Sequence, residues 1–162
     1  MLISGATGGV GSIALQLAQE AGATVIATAR PGEEEDYVRG LGAGHAVDWT
    51  GDLSAAVNAI AADGVDKALH FAGDPATIGG LVRRGGTLAS TLGATPESLG
   101  RDDITLASIM AAASADKLAH LLDLVATGKV RVNVEAAVPL ERAHDALGLF
   151  ADGTLGKVLV TR

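Results

Sequence analysis

Six residues near the start of the chain, Ala6-Thr7-Gly8-Gly9-Val10-Gly11, carry the spacing of a phosphate-cradling loop, G-x-G-x-x-G with alanine in the first glycine's place. A short apolar run, Leu2-Ile3, enters the loop through Ser4-Gly5. Apolar positions at helical spacing leave it: Val10, Ile13, Ala14, Leu17, Ala18 and Ala21, with Gly22 as a left-handed cap. In that setting Gly8 lets the backbone approach a pyrophosphate and Gly11 lets the helix pack tightly, while the helix N-terminus offers free N–H groups and a partial positive charge. The chemistry implied is dinucleotide binding that needs no basic side chain; a purely structural turn is the alternative. No Lys-Ser/Thr pair follows the glycines, so a Walker loop does not match.

The next strand ends at Thr28-Ala29-Arg30, where a carboxylate for a ribose 2′-hydroxyl is the usual mark of NAD and a nearby arginine the mark of NADP. No carboxylate stands there. Arg30 could pair with a 2′-phosphate through its planar fork of donors, which favours NADP(H) over NAD(H). Alternatively it neutralises the acidic run Glu33-Glu34-Glu35-Asp36, which would also oppose a phosphate's charge and which suits the first turn of a helix.

These groups need a scaffold, and the chain supplies alternating patterns for one. Strands are predicted over Thr24–Thr28, Ala46–Asp48, Val65–Phe71, Thr87–Thr91 and Ile104–Met110. Helical segments lie between them: one after Pro31-Gly32 that ends near Gly42, one over Leu53–Ala61 and a short one over Pro75–Val82, with a turn-rich loop at 93–103 and a helix over Asp116–Ala126. Alternation of this kind describes an α/β fold, a doubly wound parallel sheet with helices on both faces over residues 1–128. Residues 129–162 form a strand-helix-strand tail: Val130, Val132 and Val134 alternate with polar residues, Leu140, Ala143, Leu147 and Phe150 form one helical stripe, and Val158–Val160 closes the chain.

Composition agrees with this reading and removes other classes. Of 162 residues, 48% are hydrophobic but only 2% aromatic, so Ala, Val, Leu and Ile must fill the interior, as in parallel sheets. A net charge of −7 argues against a nucleic-acid or anionic membrane surface. There is no cysteine, so disulfides and thiolate metal sites are excluded and the cytoplasm is the expected compartment. No membrane-spanning run or targeting segment is evident.

Four stretches together, LISGATGGVGSIALQLAQEAGATVIATA, LGAGHAVDW, LVRRGGTLASTLG and PLERAHDALGLFADGTLGKVLVT, resemble the medium-chain dehydrogenase/reductase superfamily, nearest its zinc-independent quinone oxidoreductase branch. The resemblance implies a Rossmann domain with a tail that returns to an N-terminal GroES-like domain, which would precede residue 1. It implies NADPH-dependent hydride transfer to a quinone, enone or other small carbonyl substrate, and a homodimer formed through the sixth strand. Position by position it sets Thr7, Gly8, Gly9, Val10 and Gly11 under the pyrophosphate, and Ala29 and Arg30 at the adenosine ribose. Trp49 falls near the adenosine end, and Phe71, Ala72, Gly73, Leu92 and Gly93 near the nicotinamide; Trp49, Gly73 and Gly93 read equally as structural positions.

Other chemistries find less support. His45, His70, His120 and His144 are scattered without metal-ligand spacing, so no metal site is expected in this chain. There is no G-x-S-x-G elbow, and Tyr37 is followed four residues later by Leu41 rather than the lysine of short-chain reductases. No acid, base or nucleophile stands out. A non-catalytic dinucleotide-binding or oligomerisation module therefore remains an alternative, as does part of a zinc-dependent alcohol dehydrogenase-like enzyme.

Overall fold

The computed structural model describes residues 1–151 and 153–162. Six parallel strands form one sheet: β1 (Leu2–Ser4), β2 (Ile26–Thr28), β3 (His45–Val47), β4 (Val65–His70), β5 (Val82–Ser90) and β6 (Thr105–Ser108). Their spatial order is β3-β2-β1-β4-β5-β6. The chain turns from one half of the sheet to the other between β1 and β4, the switch point at which open α/β sheets bind ligands. The connecting helices are α1 (Gly11–Glu20), α2 (Glu33–Gly40), α3 (Leu53–Asn58), α4 (Pro75–Gly80), α5 (Pro96–Leu99) and α6 (Ala115–Ala126).

Each face of the sheet buries its own core. Leu2, Val57, Ala68, Ile78, Val82 and Leu88 meet on one side; Ile3, Leu15, Val25, Ala27 and Val38 meet on the other. Consecutive residues Leu2 and Ile3 supply opposite cores because successive strand side chains point to opposite faces. With side chains this small, backbones come close. A Cβ on Gly11 would lie 2.0 Å from the Gly5 carbonyl oxygen, so only glycine lets α1 start against the end of β1.

Several boundaries differ from the sequence expectation. β5 begins at Val82 rather than Thr87: Val82 pairs with Val65, the register shifts, and regular pairing resumes at Lys67 with Thr87. Gly86 accommodates the shift, since a Cβ there would meet the Asp66 carbonyl at 2.7 Å. The loop at 93–103 contains α5, started by a reciprocal cap between Thr95 and Ser98. β6 is shorter than expected, leaving Ile109 and Met110 exposed beyond it.

The tail needs a larger correction. Residues 130–133 do not form a strand; β7 starts only at Val134 and runs to Pro139, and it pairs in parallel with β8 (Lys157–Thr161) across α7 (Ala143–Ala151). Val130 is buried whereas Val132 and Val134 are exposed. The backbone at 131 is held by a side chain instead of a strand: Gln16 Oε1 accepts from the Arg131 N–H at 2.7 Å and its Nε2 donates to the Arg131 carbonyl at 2.9 Å. Period-two patterning predicts a strand ladder, and here a buried glutamine satisfies the backbone groups in its place. The helical stripe also differs, because Ala146 is the buried residue of α7 while Leu147 and Phe150 stand exposed.

Candidate functional site

The turn after β1 is fixed from three directions. The Gly5 N–H donates to Thr28 Oγ1 at 3.0 Å, tying the loop to the end of β2, and Ser4 Oγ donates to the Ala72 carbonyl at 2.5 Å, tying it to the end of β4. The tail crosses above: the Gly156 N–H donates to the Thr7 carbonyl at 2.9 Å, and Gly8 and Gly156 form a parallel bridge. The glycines in this loop serve different ends. Gly11 is demanded by packing, but a Cβ on Gly8 would meet only the Gly5 carbonyl oxygen at 3.5 Å, an ordinary contact. The protein itself does not require glycine at position 8, whereas a pyrophosphate lying on the loop would. Asp52, Asp74, Thr95 and Ser114 cap α3, α4, α5 and α6 with their side chains, but α1 starts at Val10 without one. An anion can take that capping role.

Two clefts meet at Gly5, along the carboxyl ends of the strands. The first, about 670 Å³, is lined by Thr7, Arg30, Trp49, Ala72 and Gly73 of the expected positions, together with Thr28, Glu34, Asp52 and Thr77. The second, about 660 Å³ and more apolar, is lined by Gly8, Gly9, Val10, Gly11, Phe71 and Leu92, with Leu147 and Phe150 facing them from α7. Ala29 and Gly93 line neither cleft. Ala29 is buried and its N–H donates to the Val47 carbonyl at 2.9 Å, while Gly93 adopts a φ of 71° in the turn after β5.

The floor between the clefts rests on His70, the one buried histidine; His45, His120 and His144 are exposed. His70 Nε2 lies 3.0 Å from the Gly73 carbonyl, an acceptor only, so this nitrogen carries the proton. Nδ1 then accepts from Ser90 Oγ at 2.9 Å, and the Ser90 oxygen in turn accepts from the Leu92 N–H at 3.1 Å. The network joins the ends of β4 and β5 and holds Gly73 and Leu92 in place. The role is positional, and among the described residues no histidine side chain lines either cleft.

At the far end of the first cleft Arg30 is paired rather than free. Its Nη2 lies 2.6 Å from Glu34 Oε1, and Trp49 Nε1 donates to Glu34 Oε2 at 3.4 Å. Partial burial pushes the Glu34 carboxyl up, but hydrogen bonds from the Arg30 backbone, the Arg30 guanidinium and Trp49, with the arginine's charge, hold it below the usual carboxylate range overall. The same pairing raises the Arg30 pKa.

Two contributors escaped the sequence reading. Lys157 reaches across from the tail and sets its Nζ against the glycine loop, where a Cβ on Gly9 would be 2.5 Å away. Leu147 and Phe150 line the second cleft although their stripe suggested an outward partner. The residues present fit a dinucleotide: an open glycine loop, an uncapped helix start and one lysine lie between two clefts. They do not provide a zinc centre, since among the described residues no three His, Cys, Asp or Glu side chains gather where a metal could be held. Among the described residues no helix is long and apolar enough to cross a membrane.

Comparison with known proteins agrees with this geometry. A model of the zinc-binding dehydrogenase family matches residues 9–113. A chloroplast envelope quinone oxidoreductase homolog from Arabidopsis thaliana is 29% identical over 170 residues, covering 99% of this chain and 51% of that protein. The chain thus spans about half the length of the curated relatives it matches. A quinone oxidoreductase structure from Coxiella burnetii superposes with a TM-score of 0.86 at 24% identity, covering 99% of this chain and 52% of the other. An alcohol dehydrogenase from Aeropyrum pernix gives 0.80 at 29%, covering 99% and 50%.

Proposed function

We propose that this chain, which belongs to the zinc-binding dehydrogenase family, supplies the cofactor-binding portion of an NAD(P)H-dependent oxidoreductase that passes hydride to a quinone or enone. The carrying observation is the open Gly8 in a loop where Gly11 is already accounted for by packing. The cofactor, when bound, supplies the hydride; the chain's residues bind, orient and exclude water. In this reading Gly8, Gly9 and the start of α1 hold the pyrophosphate with Lys157 as countercharge. The adenosine half occupies the cleft of Thr28, Arg30 and Trp49. The nicotinamide half occupies the apolar cleft of Phe71, Leu92, Leu147 and Phe150, whose walls keep water from the reacting carbon.

NADP(H) is the cofactor favoured in this proposal, because among the described residues Arg30 is the one cation lining the adenosine cleft and the β2 segment itself, Ile26–Thr28 with Ala29 and Arg30 after it, contains no carboxylate. The quinone or enone substrate rests on the Arabidopsis thaliana relative's name and on the apolar second cleft. Residues 1–128 form the dinucleotide-binding domain in this reading and 129–162 its tail. Exposed Ile109 and Met110 beyond β6 suit a homodimer, and the cysteine-free composition suits a reducing compartment such as the cytoplasm. Titration calorimetry tests the cofactor assignment: NADPH should bind more tightly than NADH, and Arg30→Ala should erase most of the difference. Equal affinity of the unmodified chain for both would refute the preference.

A further inference from the structure

Arg30 already commits part of its donor fork, Nε and Nη2, to another partner, so a 2′-phosphate shares the guanidinium with that partner or displaces it. Its Nε lies 2.7 Å and its Nη2 2.6 Å from Glu34 Oε1, while its backbone N–H donates to Glu34 Oε2 at 2.6 Å. Trp49 binds the same Oε2, and the Arg30 guanidinium lies 6.0 Å from the Trp49 ring centroid. The Glu34 side chain is 13% exposed against 52% for Arg30. The carboxylate is therefore the fixed member of the pair, held by its own helix, by the backbone after β2 and by the residue after β3; the guanidinium is the member that can move.

The surroundings strengthen the competition. Glu33 and Glu135 line the adjoining cleft with Arg30 and Glu34, and Asp48 acts on Arg30 electrostatically. A 2′-phosphate at this place meets one guanidinium and several carboxylates, whereas a ribose 2′-hydroxyl meets a carboxylate able to accept its proton. The carboxylate absent from the end of β2 in sequence is present there in space, delivered from the first turn of α2.

Resting on the reading of Arg30 as the 2′ partner, we propose that Glu34 is a specificity-determining residue that limits the preference for NADP(H). It competes with the 2′-phosphate for Arg30, and when the guanidinium turns away its Oε1 becomes an acceptor for the 2′-hydroxyl of NAD(H).

The test is calorimetric titration of the 162-residue chain with NADP⁺ and NAD⁺ for the unmodified protein, Glu34→Gln, Arg30→Ala and the double variant. Fluorescence of Trp49, the single tryptophan, gives a second readout at the site. Glu34→Gln should raise the ratio of NADP⁺ to NAD⁺ affinity by roughly fivefold or more, as expected for releasing a partly exposed ion pair. In the Arg30→Ala background the same change should leave the ratio within about twofold, because the two residues act as one pair. An unchanged ratio in Glu34→Gln, with Arg30→Ala still erasing the preference, overturns the role of Glu34 and leaves the Arg30 reading standing. An equal rise in both backgrounds also overturns it, since charge alone would then set the effect. If Arg30→Ala changes no ratio, both readings fall. Should Glu34→Gln fold poorly, Glu34→Asp withdraws the carboxylate while keeping its charge and should give a smaller rise; no rise overturns the proposal.

Discussion

Two glycines three residues apart should respond in opposite ways to the same added methyl group. In Gly11→Ala the new Cβ lies 2.0 Å from the Gly5 carbonyl oxygen and 2.8 Å from the Ala6 Cα, both backbone atoms that cannot swing aside. The start of α1 must move away from β1, and overpacking of this kind costs about 1–3 kcal/mol or more. Alanine's better helix propensity returns only about 1 kcal/mol. The net loss, up to about 2 kcal/mol, should lower the melting temperature of a domain of this size by up to roughly 4–8 °C. In Gly8→Ala the nearest atom is the Gly5 carbonyl oxygen at 3.5 Å, and the φ of Gly8 is not positive, so the fold has room for the methyl. Its melting temperature should be unchanged or slightly higher, since alanine narrows the unfolded ensemble. Binding should show the reverse order. Gly8→Ala occupies the approach to the pyrophosphate and should weaken NADPH by at least about a hundredfold, near 2.7 kcal/mol. Differential scanning calorimetry and titration calorimetry on the two variants decide the matter. A Gly8→Ala protein that binds NADPH normally would show that the loop is a structural turn and that the cofactor, if any, lies elsewhere.

Lys157→Ala should weaken NADH and NADPH alike, by roughly tenfold, because the lysine faces the loop common to both; a loss confined to one cofactor would contradict that placement. Static light scattering at high micromolar concentration should find a dimer or larger species, driven by exposed Ile109 and Met110 beyond β6, and a persistent monomer would refute it. Asp48, Asp66, Asp74, Asp103 and Asp145 sit below the usual carboxylate range, chiefly through hydrogen bonds from neighbouring Thr or Arg groups, and Glu34 does so despite partial burial. Depressed folded-state values stabilise the fold above the unfolded value near 4, and that contribution is lost as pH falls through them. The melting temperature should therefore decline on acidification below about pH 4; a rise there would contradict the sign.

The doubly wound parallel sheet was legible because its short apolar strands alternate with helical periods along the chain. Boundaries were less legible where backbone contacts decide them. Nothing local marks Val82 as the start of β5; its pairing with Val65 and the close approach at Gly86 do so. Residues 130–134 misled for a related reason. Alternation of valines with polar residues is the signature of a strand, but the backbone at Arg131 takes as its hydrogen-bonding partner Gln16, a side chain on a helix more than a hundred residues earlier.

The candidate site divides along the same line between local and distant information. The glycine loop could be read because its spacing encodes both the tight helix start and the phosphate approach, although only the structure separates Gly11, required by packing, from Gly8, which packing leaves open. Lys157 could not be read, since its meaning depends on the tail crossing Thr7 and Gly8. Glu34 lies between these cases. Four acidic residues follow Arg30, and i,i+4 spacing singles out Glu34 as its helical neighbour. An ordinary surface pair at that spacing contributes little. What gives this one consequence is the company it keeps: the Arg30 backbone N–H and the Trp49 indole fix the carboxylate at the end of β2, where the ribose of a bound dinucleotide would be distinguished. A rule that searches only the strand end for a carboxylate finds none, because this chain supplies it one helical turn later.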